Sequence, residues 1–366
     1  MEKYFILFLI LLSANSANSA PSIISATVAS SVLTVAGSEF GERQDAPVYF
    51  ANFDNETTGT LPTGQVTNQV KYGTVRANRT HSGSKSLEFN YDAVSGLETG
   101  EWERNAIDMG EAGVGSIYYS TWLYLDKTGT TDTSWQWKNF TATACADMYG
   151  CNVALNPFIL FEPWVNGSFN WFNTGNPHVY KGAQVLAETF TAPPDLYLWG
   201  EWQRVEVYLQ KSSPDATANG TVYLNRVGRG TVIIDDATVV THASGDNNWR
   251  YFVLSHAIES ATDGEVHLDV FMDDVYVDTS RARVEICDTD TWVARTHCEI
   301  QPSTAWAAGE ITAAVNQGSF AGGATAYLYV IDADGVVNAD GYQITLGETA
   351  PTNAVPRGTV PLGDMR

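Results

Sequence analysis

Six side chains near the middle of this sequence have types that suit one kind of chemistry: Arg104, Lys138, His178, Tyr180, Arg250 and His256. Removing a proton from a carbon beside a carboxylate needs three things. These are a cation or donor to neutralise the carboxylate, a base, and an acid for the departing oxygen. Arg104 in EWERNAID, Lys138 in QWKNF and Arg250 in WRYFVLSH can supply the charge, while His256, His178 and Tyr180 can move the proton. The catalytic set read this way is Lys138, Arg104, His256 and Tyr180. It would cleave a polysaccharide beside a uronic acid by β-elimination. Strand alternation also places Arg250, Phe252, Leu254 and His256 on one face, so that Arg250 could line the same groove. Each residue has a plainer reading too: a satisfied or merely exposed imidazole, or a cation in an ordinary surface pair.

Aromatic residues point to sugar from another direction. Of 11 Trp, all but Trp292 and Trp306 fall between Trp102 and Trp249. Sugar rings present apolar C–H faces that stack on indoles, while polar side chains bind the hydroxyls. Trp135 and Trp137 alternate with Gln136 and Lys138, which predicts a strand with one aromatic and one polar side. The Gly/Asn/Pro-rich stretch FNWFNTGNPHVY adds Trp171 and His178 in what reads as a loop. The expected substrate-binding residues are therefore Trp135, Trp137, Gln136, Trp171, His178 and Arg250; the competing reading is that these aromatics fill a core.

These residues must be held by β-structure. Residues 1–19 read as a secretory leader, with an apolar run too short to span a bilayer and a small-residue cleavage tract. The expected location is outside the cell or on its surface, with a leader of bacterial style. The formal net charge of −22 argues against nucleic acid and anionic membranes as partners. An acidic polysaccharide stays open, provided cations cluster locally. Four cysteines in an exported chain imply two disulfides, and of three connectivities proximity favours Cys145–Cys151 with Cys287–Cys298.

Helical periodicity is almost absent. In residues 265–288, EVHLDVFMDDVYVDTSRARVEICD, apolar residues alternate up to Asp273-Asp274, where the phase slips by one, which predicts a β-bulge. A second strand begins after Thr279-Ser280. The opening PSIISATVASSVLTVAGSEFG resembles the first strands of the immunoglobulin-like IPT/TIG domain. EITAAVNQGSFAGGATAYLYVIDADGVVNADGYQITLG is similar to its second half. The segments HSGSKSLEFNYDA, SIYYSTWLYLD, WQWKNF, GEWQRVEVYLQ, ANGTVYL and VFMDDVYVD, in that order, resemble concanavalin A-like jelly rolls, the fold of laminarinases, legume-type lectins and several polysaccharide lyases.

The organisation these resemblances imply is all-β. Residues 20–46 and 281–347 form one Ig-like sandwich, 47–280 an inserted concanavalin A-like jelly roll, and 348–366 a disordered tail. Domain insertion of this kind is tolerated where the two ends of a loop lie close together. The laminarinase pattern E-x-D-x-x-E is missing, which disfavours a retaining glucanase. The alginate-lyase patterns R-x-E-x-R and Q-x-H are missing as well. Similar jelly rolls often hold a structural calcium, which here implies Asp54, Glu56 and Asp274 as ligands. The alternative is that one aspartate caps the bulge while the other meets water. The function favoured is recognition of an extracellular glycan on an aromatic concave face; a uronate-specific lyase and a structural matrix protein are the alternatives.

Overall fold

A computed structural model of the chain describes residues 19–29, 31–93, 101–131, 134–145, 148, 158–162, 164–166, 178–181, 184–185, 197–230, 232–242, 244–260 and 264–347. Most of the expected leader, the tail, Cys151 and Trp171 lie outside them.

The fold is all-β and consists of two sandwiches. In the larger, an eight-stranded and a nine-stranded sheet, as counted among the described residues, enclose one apolar core. This is the jelly-roll sandwich. Val266–Asp278 is its longest strand at 13 residues; it pairs with Ser116–Asp126 on one side and with Ser86–Ala93 and Tyr49–Ala51 on the other. The predicted bulge is present: the register shifts between Asp273 and Tyr276, and Asp274 adopts φ +47°. A non-glycine residue in that region is uncommon, and aspartate is among the types that tolerate it.

The smaller, Ig-like sandwich is built from both ends of the chain. Val32–Ser38 pairs with Glu310–Ala314, so Val35 lies opposite Ile311. A second sheet, centred on Arg283–Cys287 and Thr325–Ile331, closes over the first. Leu33, Val35 and Phe40 thus share a core with Val284, Ile286, Trp306 and Leu328. Neither end could bury such a core alone. Asp332 organises the turn its sequence predicts: its carboxylate accepts the amides of Asp334 and Val336, and Gly335 supplies φ +83°.

Two further strands run Ile234–Val239 and Tyr251–Ser260. Ser303–Ala307 is a strand that alternation did not reveal, because a register shift between Ser303 and Ala305 breaks its period.

Cys287 and Cys298 are disulfide-bonded across 11 positions, joining adjacent strands of the small sandwich. Cys145 is also disulfide-bonded. Reducing the Cys287–Cys298 loop constraint with the double serine variant is expected to cost roughly 2–3 kcal/mol, read as a lower urea midpoint with an unchanged slope. An unmoved midpoint would assign the link no part in stability. Among the described residues no helix is long and apolar enough to cross a membrane.

The two sandwiches are fused by buried charge. Arg204 makes a two-pronged contact with Glu285, at 2.9 and 2.7 Å, and also reaches Glu206 at 3.0 Å and the Cys298 carbonyl at 3.0 Å. Arg283 bonds Glu285 at 2.5 Å and lies over the Tyr118 ring. Tyr118, Tyr208 and Tyr276 of the large sandwich meet Ile300 of the small one. The outer face of the eight-stranded sheet is therefore the docking face, and the outer face of the nine-stranded sheet is the one left for other work.

Candidate functional site

Four strands position the chemistry on that remaining face. Tyr251–Ser260 is central, flanked by Glu101–Asp108 and, along its other edge, by Ser134–Lys138 and then Thr141–Thr143. Ile107, Trp137, Ala142, Phe252, Leu254 and Ile258 belong to the sandwich core. Alternation then turns Arg104, Lys138, Thr141 and Val253 to the outer face. A register shift between Val253 and Ser255, and another between Ser255 and Ala257, rephase the central strand. They leave the Ser255 hydroxyl inside, in contact with Tyr91 at 2.7 Å and the Trp137 indole N–H at 3.1 Å.

His256 is fully buried, with Nδ1 3.5 Å from the Thr141 hydroxyl. Burial holds its imidazole well below the usual histidine range, and the positive charges of Arg104 and then Lys138 push it further the same way. Those two cations therefore stand close enough to act on it electrostatically, and both are buried as well. The structure thus brings Arg104, Lys138 and His256 together. Tyr180 belongs to His178–Lys181 in the same sheet: it pairs with Leu160, which pairs with Thr141. The description of Tyr180, His178 and Gln136 stops at the backbone.

Other expected residues fall elsewhere. Trp135 and Trp137 are not a sugar platform; both are core residues, at 1% and 0% exposure. Arg250 stands apart from His256. It pairs with Asp108 at 3.3 Å and lies over Tyr251. Six residues of strand separate it from His256 by about 20 Å. Replacing Trp137 with Phe is expected to lower stability by roughly 1 kcal/mol, through loss of the bond to Ser255, and to leave any glycan affinity unchanged. A large loss of affinity in the folded variant would restore the platform reading.

The expected calcium ligands do not converge either. Glu56 turns its carboxylate to the amide and hydroxyl of Thr63, and Asp54 turns to the amide and hydroxyl of Ser84. The Lys85 ammonium takes the backbone carbonyls of both, at 2.9 and 2.6 Å, and so brings a fixed positive charge to that turn. Asp274 bonds Ser82 and Asn316 instead. Its neighbour Asp273 accepts the backbone amides of His81, Ser82 and Asp274. Burial raises both carboxyls; for Asp274 the nearby charges of Glu299 and Asp273 add to it.

Sequence reading missed Thr141, because a threonine in a three-residue strand carries no signal of its own. It also missed His81, His297 and Glu299: His81 lies 218 positions from Glu299, yet the three meet at the joint between the sandwiches.

No protein-family profile and no curated protein matches the chain. Solved structures similar to it include an endo-β-1,4-glucuronan lyase from the fungus Trichoderma reesei. That likeness has 15% identity and a TM-score of 0.40, over 64% of this chain and 96% of that one. Alginate lyase vAL-1 from Chlorella virus is 10% identical, with a TM-score of 0.35 over 57% and 89% of the two chains. Lectin II from Ulex europaeus is 13% identical, with a TM-score of 0.32 over 64% and 100%. These are weak likenesses, and the chemistry below rests on this chain's own residues.

Proposed function

We propose that the protein engages a uronate-containing extracellular polysaccharide on the outer face of the nine-stranded sheet. The observation that carries this is the pairing of Arg104 and Lys138 around His256 in a chain whose formal net charge is −22. Two neighbouring cations make one face of so acidic a protein a local focus of positive potential, which attracts an anionic ligand. A sugar carboxylate fits, with the guanidinium offering a planar fork and the ammonium a point charge.

A second reading, cleavage by β-elimination, is favoured over binding alone by the state of His256. The imidazole is held neutral, so its lone pair is available to a proton. A carboxylate arriving between the two cations cancels part of the positive potential that discourages protonation. The elimination then balances. His256 takes the proton from the carbon beside the carboxylate, the electron pair forms a C=C bond, and the glycosidic C–O bond breaks. The leaving oxygen takes a proton from a donor, the role this reading gives to the Tyr180 phenol. The products are a new reducing end and an unsaturated uronate.

The test is a panel of neutral and uronate polysaccharides, read for retardation in glycan-containing gels and for ultraviolet absorbance of the unsaturated product. Retardation by polyuronates, screened by salt, is expected; absorbance growth assigns the lyase reading. Equal retardation by neutral glucans, or by none, would refute the anionic ligand.

A further inference from the structure

The joint between the two sandwiches holds a cluster that the proposed function does not use. His81 comes from the large sandwich, His297 and Glu299 from the small one. Their potential ligand atoms all lie within 4.8 Å of one another. Both imidazole Nε2 atoms point at the same carboxylate oxygen, Glu299 Oε1, at 2.9 and 2.7 Å. Among the described residues these two histidines are the ion-pair partners of Glu299; no lysine or arginine is.

The rings are held in place. His81 stacks on Trp122 at 3.8 Å between centroids, and His297 on Phe320 at 4.2 Å. The Trp122 indole N–H donates to the other oxygen of Glu299 at 2.9 Å, which fixes the carboxylate and leaves Oε1 facing the histidines. An outer-shell bond of this kind orients metal-ligating carboxylates. The Ser319 hydroxyl lies 3.2 Å from His297 Nε2, and the Ser319 amide reaches Oε1 at 3.3 Å. His297 is about a quarter exposed, which opens one side to solvent.

We infer that His81, His297 and Glu299 form a binding site for a divalent transition cation of the zinc class, which would fasten the two sandwiches together. Two neutral imidazoles and one carboxylate are ligands such ions accept at about 2.0–2.2 Å, with a fourth position for water or the Ser319 hydroxyl. At tetrahedral angles those bond lengths place ligand atoms about 3.3 Å apart. The cluster therefore needs to widen by roughly half an ångström, with each imidazole proton moving to Nδ1. Hydrogen bonding alone would leave one oxygen serving two imidazoles.

The full-length protein, stripped with EDTA and titrated with Co²⁺, is expected to take up one equivalent. Visible absorption bands of a four-coordinate ion should appear, Zn²⁺ should erase them, and the melting temperature should rise reversibly with either metal. His297→Gln, at a partly exposed position, is expected to weaken Co²⁺ binding at least about tenfold, since even outer-shell losses cost 10–100-fold. Glu299→Gln should do the same. His267→Gln, at a surface histidine that pairs with Asp92 and Glu265, should leave the stoichiometry and spectrum unchanged. Absence of one-equivalent binding by the parent protein at tens of micromolar metal would overturn the inference. So would binding that survives His297→Gln or is lost in His267→Gln. The parent titration stands whether or not either joint variant folds.

Discussion

Replacing Arg204 with alanine is expected to lower the stability of the protein by about 3–5 kcal/mol, because it strands two buried carboxylates. The guanidinium is the hub of the interface: it is 2% exposed and joins Ser120 and Glu206 of the large sandwich to Glu285 and the Cys298 carbonyl of the small one. Removing it leaves Arg283 as the guanidinium bonded to Glu206 and Glu285, beside the neutral donors Tyr118 and Asn225 on Glu206. The melting temperature should fall by roughly 10 °C. A melt that moves by no more than a degree would show that the sandwiches do not depend on this network.

Acid should reproduce part of that loss. Burial alone would raise the carboxyls of Glu206 and Glu285, but the facing guanidinium groups of Arg283 and Arg204 outweigh it, and both ionise below the usual glutamate range. A carboxyl depressed in the folded state stabilises above its unfolded value, here about 4.5, and loses that contribution progressively as pH drops below it. The parent protein should therefore lose melting temperature more steeply below pH 4.5 than Arg204→Ala does. Parallel curves would contradict the assignment.

The second large effect is kinetic and follows the β-elimination reading. His256→Gln keeps the side-chain volume but removes the proton acceptor, and is expected to cut turnover by about 10²–10⁴-fold with little change in polysaccharide affinity. Lys138→Ala should act in the opposite sense, weakening affinity for a polyuronate by roughly 10–100-fold through loss of a charged contact. Because burial, Arg104 and Lys138 hold the imidazole of the free protein well below 6.5, kcat/KM should not fall between pH 8 and 6 on account of this residue. An ordinary histidine base would lose activity through that range. Full turnover in His256→Gln would remove it from the chemistry, and unchanged affinity in Lys138→Ala would remove the cation from the site.

Much of the architecture was legible in the residues. Alternation along Val266–Asp278 gave the strand, and the phase slip at Asp273-Asp274 gave its bulge, because side-chain direction in a strand is a local property with a period of two. The opening and closing segments were grouped by resemblance rather than by alternation, and Val35 lies opposite Ile311. The choice of Arg104, Lys138 and His256 came from side-chain chemistry, which needs no fold to state.

What alternation does not encode is which of a strand's two sides meets another sheet. Trp135 and Trp137 were correctly placed on one side of their strand and wrongly sent to the surface; the answer depended on the sheet that packs against them. The same blindness grouped Phe252 and Leu254, which are core residues, with His256, since two register shifts intervene and depend on how the flanking strands pair. Nor could spacing reveal that Arg204 faces Glu285, or that His81 meets Glu299. The sequence alone determined most of the strands and the inventory of reactive groups. Only the tertiary structure decided which groups share a face, because such meetings are made by long-range packing between segments whose separation along the chain carries no periodic signal.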